Sequence, residues 1–372
     1  MSKRILLTLL GSLALIAVTS CGPEKAPAKP APAAAPTPAV PVAGDALPRP
    51  ADARLGNALA SYKLGAALTA ENVAFVPILA PESKEPGAEY LTLAEALEKK
   101  VVTVEELKGG GTVPKLEMES KAQKPVFVPF GAIVTGGNQD RMIRTHIVLR
   151  PGEKKTVEVY CVEQGRWSSG GGALAVMASF RSNASFPGPQ LRQSAAKGES
   201  QTEVWRAVEG ANKSLGNLSS SANFQGNIET PAYKETSAKL EPANQDLLGM
   251  KRVCGVVVVI DGKAAAAEAF VNPDYFRKVW PLLYKGYVVE VAAGKKKEAV
   301  TPASAQKLAA EFLGQLGAAK VTPQEESGLL KFTIDGQSAQ GGAVIDKDQE
   351  RLIHFHLLPK QDKPVREEEK RL

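Results

Sequence analysis

The sequence predicts an α+β fold, a single domain in which an antiparallel meander is joined to several packed helices. Three observations predict it. Short apolar runs with period-two alternation are joined by tight turns, as in Pro125 to Val162. Helix-start signals stand before stripes of apolar residues spaced three and four apart, at Thr92, Ser200 and Asn272. Strands and helices do not alternate in the strict rhythm of a parallel βαβ sheet.

The chain opens with Lys3 and Arg4, followed by the apolar run Ile5 to Val18. That run is of signal-peptide length and too short for an ordinary membrane span. It ends in Val18-Thr19-Ser20-Cys21-Gly22. Small residues directly before a cysteine resemble a bacterial lipoprotein signal, which implies removal of residues 1–20 and lipidation of Cys21. The expected location is therefore extracytoplasmic, on the cell or outer membrane and held there by palmitate-like acyl chains. Residues 21–53 continue as a Pro/Ala-rich linker that has no means of building a core. The expected folded domain is 54–360, with a charged tail over 361–372.

Ala74 to Leu79 reads as a short strand. Thr92-Leu93-Ala94-Glu95 is a capping box opening a helix to about Lys99, and Val101 to Leu107 alternates again before Gly109-Gly110-Gly111. Pro125 to Val134 reads as one strand, Gly136 to Asp140 as a polar turn, and Met142 to Leu149 as a second strand. After the Pro151-Gly152 turn, Lys155 to Val162 is a third, with Val157, Val159 and Cys161 on one face. Strand order then brings the loops 136–141 and 163–167 to the same end of the sheet. Asn138, Gln139, Asp140 and Arg141 are expected beside Glu163, Gln164, Arg166 and Trp167.

Gly170 to Gly172 and Ser182 to Gln193 read as surface loop. Ser200 to Glu203 is a second capping box, leading a helix with Val204, Ala207, Val208 and Ala211 on one stripe. A weak helix is expected near 231–240. Val253 to Ile260 is a buried strand closing on an Asp261-Gly262 turn, and Ala264 to Phe270 fits a returning strand or a helix. Asn272-Pro273 caps a helix in which Pro281 predicts a kink. Pro302 to Leu316 is a further helix. Leu329 to Ile334 and Leu352 to Leu358 are strands, separated by small residues at Ser338 to Gly342.

The runs GGNQDR (136–141), LRPGEKKTVEVYCVEQGRW (149–167) and VVVVIDG (256–262), with AFVNPDYFRKVWPLLYKGYVVEV (269–291), resemble a known bacterial family. It is the ARG- and Rhodanese-Phosphatase-superfamily-associated protein domain. YLTLAEAL (90–97), TEVWRAV (202–208) and IHFHLL (353–358) follow its order. The resemblance implies one domain over about 54–360. It also implies a link to nucleotide or ADP-ribose chemistry, since the family is associated with ADP-ribosylglycohydrolases.

Candidate chemistry is sparse. Cys161 has three readings: a buried strand cysteine, a disulfide with Cys254, or a nucleophile needing an activating base. His146, His354 and His356 are the only histidines. The spacing of His354 and His356 suits chelation, but with no carboxylate cluster beside them His-Phe-His reads as the solvated face of an edge strand, and no metal site is assigned. Asp140 and Glu163 form the candidate acid/base pair, with Arg141 and Arg166 as their alternative ion-pair partners. Arg166 and Gln139 suit an anionic or carbonyl-rich ligand, with Trp167 as a stacking face. No phosphate loop or nucleophile elbow occurs, and no cofactor is named. The net charge of +6 is scattered, which argues against nucleic acid.

The functional expectation is a lipid-anchored cell-envelope protein that binds a ligand or scaffolds through loops 136–141 and 163–167. Its partners are the membrane, through the anchor, and either a small nucleotide-like ligand or another envelope protein. The alternative is a hydrolase acting on a nucleotide-like or ADP-ribose-like substrate through Asp140 and Glu163.

Overall fold

The structure is a computed structural model, and it describes residues 44, 46–82, 89–107, 115–165, 185–196, 200–295 and 298–360. The signal segment 1–20, Cys21, the glycine runs at 109–111 and 170–172, Arg166, Trp167 and the tail 361–372 lie outside the described residues.

A nine-stranded sheet forms the frame. Its order is β1 (Lys63–Leu64), β3 (Val73–Leu79), β12 (Val253–Ile260), β13 (Lys263–Phe270), β17 (Arg351–Pro359), β16 (Ala339–Asp346), β15 (Leu329–Asp335) and β14 (Lys320–Glu326), with β2 (Leu68–Ala70) pairing β3. Its pairings are antiparallel. Both faces are covered, which explains the unbroken Val256 to Val259 run. Period-two alternation sends Val73, Phe75, Val256 and Val258 to one core, and Ala74, Val76, Val257 and Val259 to the other.

The first core is roofed by α5 (Pro231–Gly249) and α6 (Pro273–Ala293), and the second by α1 (Ala53–Leu59) and α7 (Pro302–Gly314). Short 3-10 turns, Gln225–Glu229 and Gln315–Ala318, precede α5 and follow α7. Trp280 on α6 packs edge-on against Phe75 at 5.5 Å between ring centres. Asn272 caps α6 by accepting the Tyr275 N–H at 2.7 Å. The helix continues through Pro281 rather than ending there.

Two smaller sheets belong to the first core. One has the order β10 (Ile147–Leu149), β7 (Val126–Val128), β4 (Leu91–Thr92). The other has the order β5 (Val102–Glu106), β6 (Lys115–Ser120), β11 (Lys154–Cys161), β9 (Arg141–Ile143), β8 (Ile133–Val134). The capping box at Thr92 and Glu95 starts α2 (Leu93–Glu98). Two more helices, α3 (Pro189–Ala196) and α4 (Gln201–Leu215), pack together and against α6.

The α+β reading and the antiparallel meander β8-β9-β11 are present. Several elements differ from expectation. Pro125 to Val134 is two strands, because Gly131 at φ +85° turns the chain from one small sheet to the other. Met142 to Leu149 is likewise split between two sheets. The helix expected at 231–240 runs on to Gly249. The small-residue stretch Ser338 to Gly342 that separates two expected strands lies, from Ala339 on, in a further strand, β16, and Lys320–Glu326 is a strand with no sequence counterpart above. The packed chain starts before residue 54. Gly44 N–H donates to the Leu64 carbonyl and Leu47 N–H to that of Tyr62, and Leu47 is buried.

Candidate functional site

The meander brings the loop after β8 and the loop after β11 together. Val162 N–H donates to the Asp140 carbonyl at 3.0 Å, extending the β9–β11 pairing by one bond. Gln139 Nε2 donates to the Gln164 carbonyl at 3.4 Å. The loop carboxylates are used inside this junction. Asp140 Oδ1 accepts the Gly136 N–H at 3.1 Å, and Glu163 Oε2 accepts the Asp140 N–H at 3.1 Å. Both side chains are buried.

Arg141 is fully buried beneath them. It donates to Gln139 Oε1 at 3.0 Å and to Glu106 Oε1 at 3.3 Å, and Glu106 also accepts the Asn138 N–H at 3.3 Å. The ion pair recorded for Arg141 is therefore with Glu106 on β5. Gln139, Asp140, Arg141 and Glu163 brace the two loops. Gln164 is exposed and Asn138 half-buried, so these two form the accessible rim.

Cys161 sits at the root of this junction. Gln201, the first residue of α4, clamps its peptide: Cys161 N–H donates to Gln201 Oε1 and Gln201 Nε2 donates to the Cys161 carbonyl, both at 2.8 Å. Burial pushes the Cys161 thiol up, only partly offset by Arg141, so a resting thiolate is disfavoured. Cys254 is buried in the opposite core, contacting the Ile78 carbonyl, and both cysteines are free. The disulfide alternative is thereby corrected: the sheet lies between the two thiols.

The histidine reading is corrected as well. β17 is an interior strand between β13 and β16, so His354 and His356 face the first core and are buried. His146, just before β10, joins them, and one ligand atom from each of the three lies within 4.8 Å of the others. Phe130 N–H donates to His146 Nδ1 at 3.0 Å. A neutral His146 then carries its proton on Nε2, which donates to His356 Nδ1 at 3.0 Å. His356 passes the bond on to Gly342. That bond uses His146 Nε2 and His356 Nδ1, whereas neither His354 ring nitrogen has a hydrogen-bond partner among the described residues. His146 and His356 thus form a hydrogen-bonded imidazole pair, with the His354 ring stacked on His356 at 5.8 Å between ring centres.

Beside it lies a buried ion pair that sequence reasoning missed. Arg192 on α3 donates to Glu268 Oε1 on β13 at 2.6 Å and to the Tyr287 hydroxyl at 3.0 Å, and Tyr287 donates to the same Glu268 oxygen at 2.8 Å. His354 Nε2 lies 3.5 Å from Glu268 Oε2. Glu268 Oε2, Arg192 Nε and both His354 ring nitrogens have no hydrogen-bond partner among the described residues. Burial alone would push the Glu268 carboxyl up, but Arg192 and His354 hold it down to about 2. Burial also depresses all three histidines: His146 well below its ordinary value, His354 in the same direction, and His356 to about 3. The signal available in the sequence was Glu268 itself, a lone carboxylate inside the run Ala264 to Phe270.

A family model described as the ARG and Rhodanese-Phosphatase-superfamily-associated Protein domain matches residues 61–358, well over half of the chain. The chain belongs to this family. The match runs from β1 to β17 and so covers both loops, the ion pair and the three histidines. No curated protein and no solved structure matches the chain.

Proposed function

We propose that this family member is a lipid-anchored cell-envelope protein whose domain binds a ligand or scaffolds through the joined loops 136–141 and 163–167. Cys21 carries the acyl chains, and the Pro/Ala-rich stretch spaces the domain from the membrane. A small nucleotide-like molecule is the expected ligand class, and another envelope protein the expected alternative occupant.

The observation that carries the reading is the bracing of the loop pair. Four polar side chains hold two loops in one geometry and leave Asn138 and Gln164 at the rim, next to Arg166 and Trp167 in sequence. Such preorganisation lowers the ordering cost of binding. The same observation weighs against hydrolysis through Asp140 and Glu163. Each already accepts a backbone N–H inside the junction.

Two measurements test this. Cys21→Ala should move the full-length protein from the membrane to the soluble fraction, and membrane retention would count against the anchor. A thermal-shift screen of the full chain with nucleotides, ADP-ribose and sugars should give a saturable rise that Gln164→Ala weakens. Turnover of a responding nucleotide that depends on Asp140 or Glu163 would replace the binding reading with the enzymatic one.

A further inference from the structure

A second polar site lies on the helical side of the fold, apart from the loop pair. A cavity of about 120 Å³ opens between α3, α4 and the C-terminal half of α6. Leu191, Phe224 and Val289 give it an apolar and aromatic floor. Ala207, Gly210 and Ala211 on α4 form one wall, so small side chains make the space. Gly210 stands in the interior of a 15-residue helix, where glycine costs about 1 kcal/mol against alanine. A Cβ there would meet nothing within 4 Å. Neither backbone geometry nor packing therefore requires glycine at this position, which borders the cavity.

Glu290 supplies the polar end. Its Oε2 accepts the Gln190 N–H at 3.3 Å. No hydrogen bond is recorded for its Oε1 among the described residues, and Glu290 is one of the residues lining the cavity. The chain is shaped around this carboxylate. A Cβ at Gly188 would fall 2.5 Å from Glu290 Oε2, and one at Gly286 would fall 2.4 Å from the Phe186 carbonyl. These two glycines let residues 186–190 lie against α6 and bring the α3 amide to Glu290. Part of the side chain reaches solvent, but the carboxyl group is desolvated and pushed up to about 7, with Arg192 only partly opposing. A group in that condition gains most from a cationic partner.

We infer that this cavity is a binding site for a small organic cation, an ammonium group on two or three carbons, held by Glu290 with its alkyl part on Leu191, Phe224 and Val289. A dry cavity of about 150 Å³ accepts benzene, so this one has room for about five heavy atoms and takes the three or four of such a cation.

Ethylammonium chloride is the probe, with sodium acetate and sodium chloride at equal ionic strength as controls, on the full-length protein. Ethylammonium should raise Tm saturably, by about 4 °C at a hundredfold excess over Kd, and the two controls should not. Glu290→Gln should weaken the apparent affinity about tenfold. Gly210→Leu, a change on an exposed helix surface, should keep a cooperative melt and abolish the response. The inference is overturned if ethylammonium gives no saturable shift up to about 100 mM. It is equally overturned if the shift survives unchanged in both variants.

Discussion

Replacing Glu268 by Gln tests how the centre of the molecule is held. The side chains of Arg192 and Glu268 are each 1% exposed and 2.6 Å apart. The substitution keeps the volume and an acceptor oxygen but removes the negative charge, leaving a guanidinium stranded in the core. Two unit charges at about 4 Å in a medium of effective dielectric 20 attract by about 4 kcal/mol, and breaking one side of a buried pair costs about 3–5 kcal/mol. With an unfolding entropy of about 2.1 cal/mol/K per residue over roughly 300 folded residues, Tm should fall by about 5–8 °C. Arg192→Met strands the carboxylate and should cost a similar amount. The double variant removes both charges and should be far more stable than the sum of the singles, with a coupling energy of at least about 2 kcal/mol. Urea unfolding of the four proteins, with equal m-values, reads this directly. Additive losses, or a Glu268→Gln cost below about 1 kcal/mol, would falsify the claim that this pair holds the core as a charged unit.

Three further outcomes are expected. Because the histidines have folded pKa values below 6.5, the unfolded chain binds more protons, and stability should fall as pH drops below about 6.5. His356 alone accounts for about 2 kcal/mol between pH 7 and 5, with His146 and His354 acting in the same direction, and Glu268 adds a loss between about pH 4.5 and 2. A flat urea midpoint from pH 7 to 5 would refute neutral burial of the cluster. Glu290 behaves oppositely: its raised carboxyl makes ionisation costly above about pH 7, so Glu290→Gln should stabilise the protein at pH 8 by about 1–3 kcal/mol and much less at pH 5, measured by denaturant titration at both. Since Cys161 and Cys254 are free and buried, reductant should leave Tm unchanged, whereas Cys161→Ser should cost about 1–3 kcal/mol by burying a hydroxyl. A reductant-sensitive melt of the folded domain would contradict the thiol assignment.

Features decided by neighbours in sequence were legible without the structure. The Thr92 capping box, the Asp261-Gly262 turn and the Asn272 cap each depend on a few adjacent residues, and each occurs where expected. Strand membership was not legible in the same way. Nothing local distinguishes one long strand at 125–134 from two short strands in different sheets, because the distinction lies in which partners they find. The stretch Ser338 to Gly342 shows the same limit. Its glycines look like loop composition, yet a Cβ on Gly341 would stand 2.0 Å from the His356 carbonyl, so the small residue is demanded by the adjoining strand.

The candidate site divides along similar lines. Strand order was enough to pair the loops of Asp140 and Glu163, since a meander fixes which ends coincide. It was not enough to say what their carboxylates face. The Arg192–Glu268 pair joins residues 76 positions apart, and the histidine bond joins residues 210 apart. No spacing rule reaches over such distances. His354 and His356 looked solvated because edge and interior strands read alike until the sheet order is known.

The convergence of all three histidines on one buried point gives the molecule an internal probe. Diethyl pyrocarbonate should find no reactive imidazole in the native protein, and carbethoxylation should track global opening of the domain rather than loop motion. The ring resonances in a histidine-labelled sample should likewise report a single location, where the two small sheets, the main sheet and α3 meet. A change that disturbs any of those layers should register there before it alters the surface.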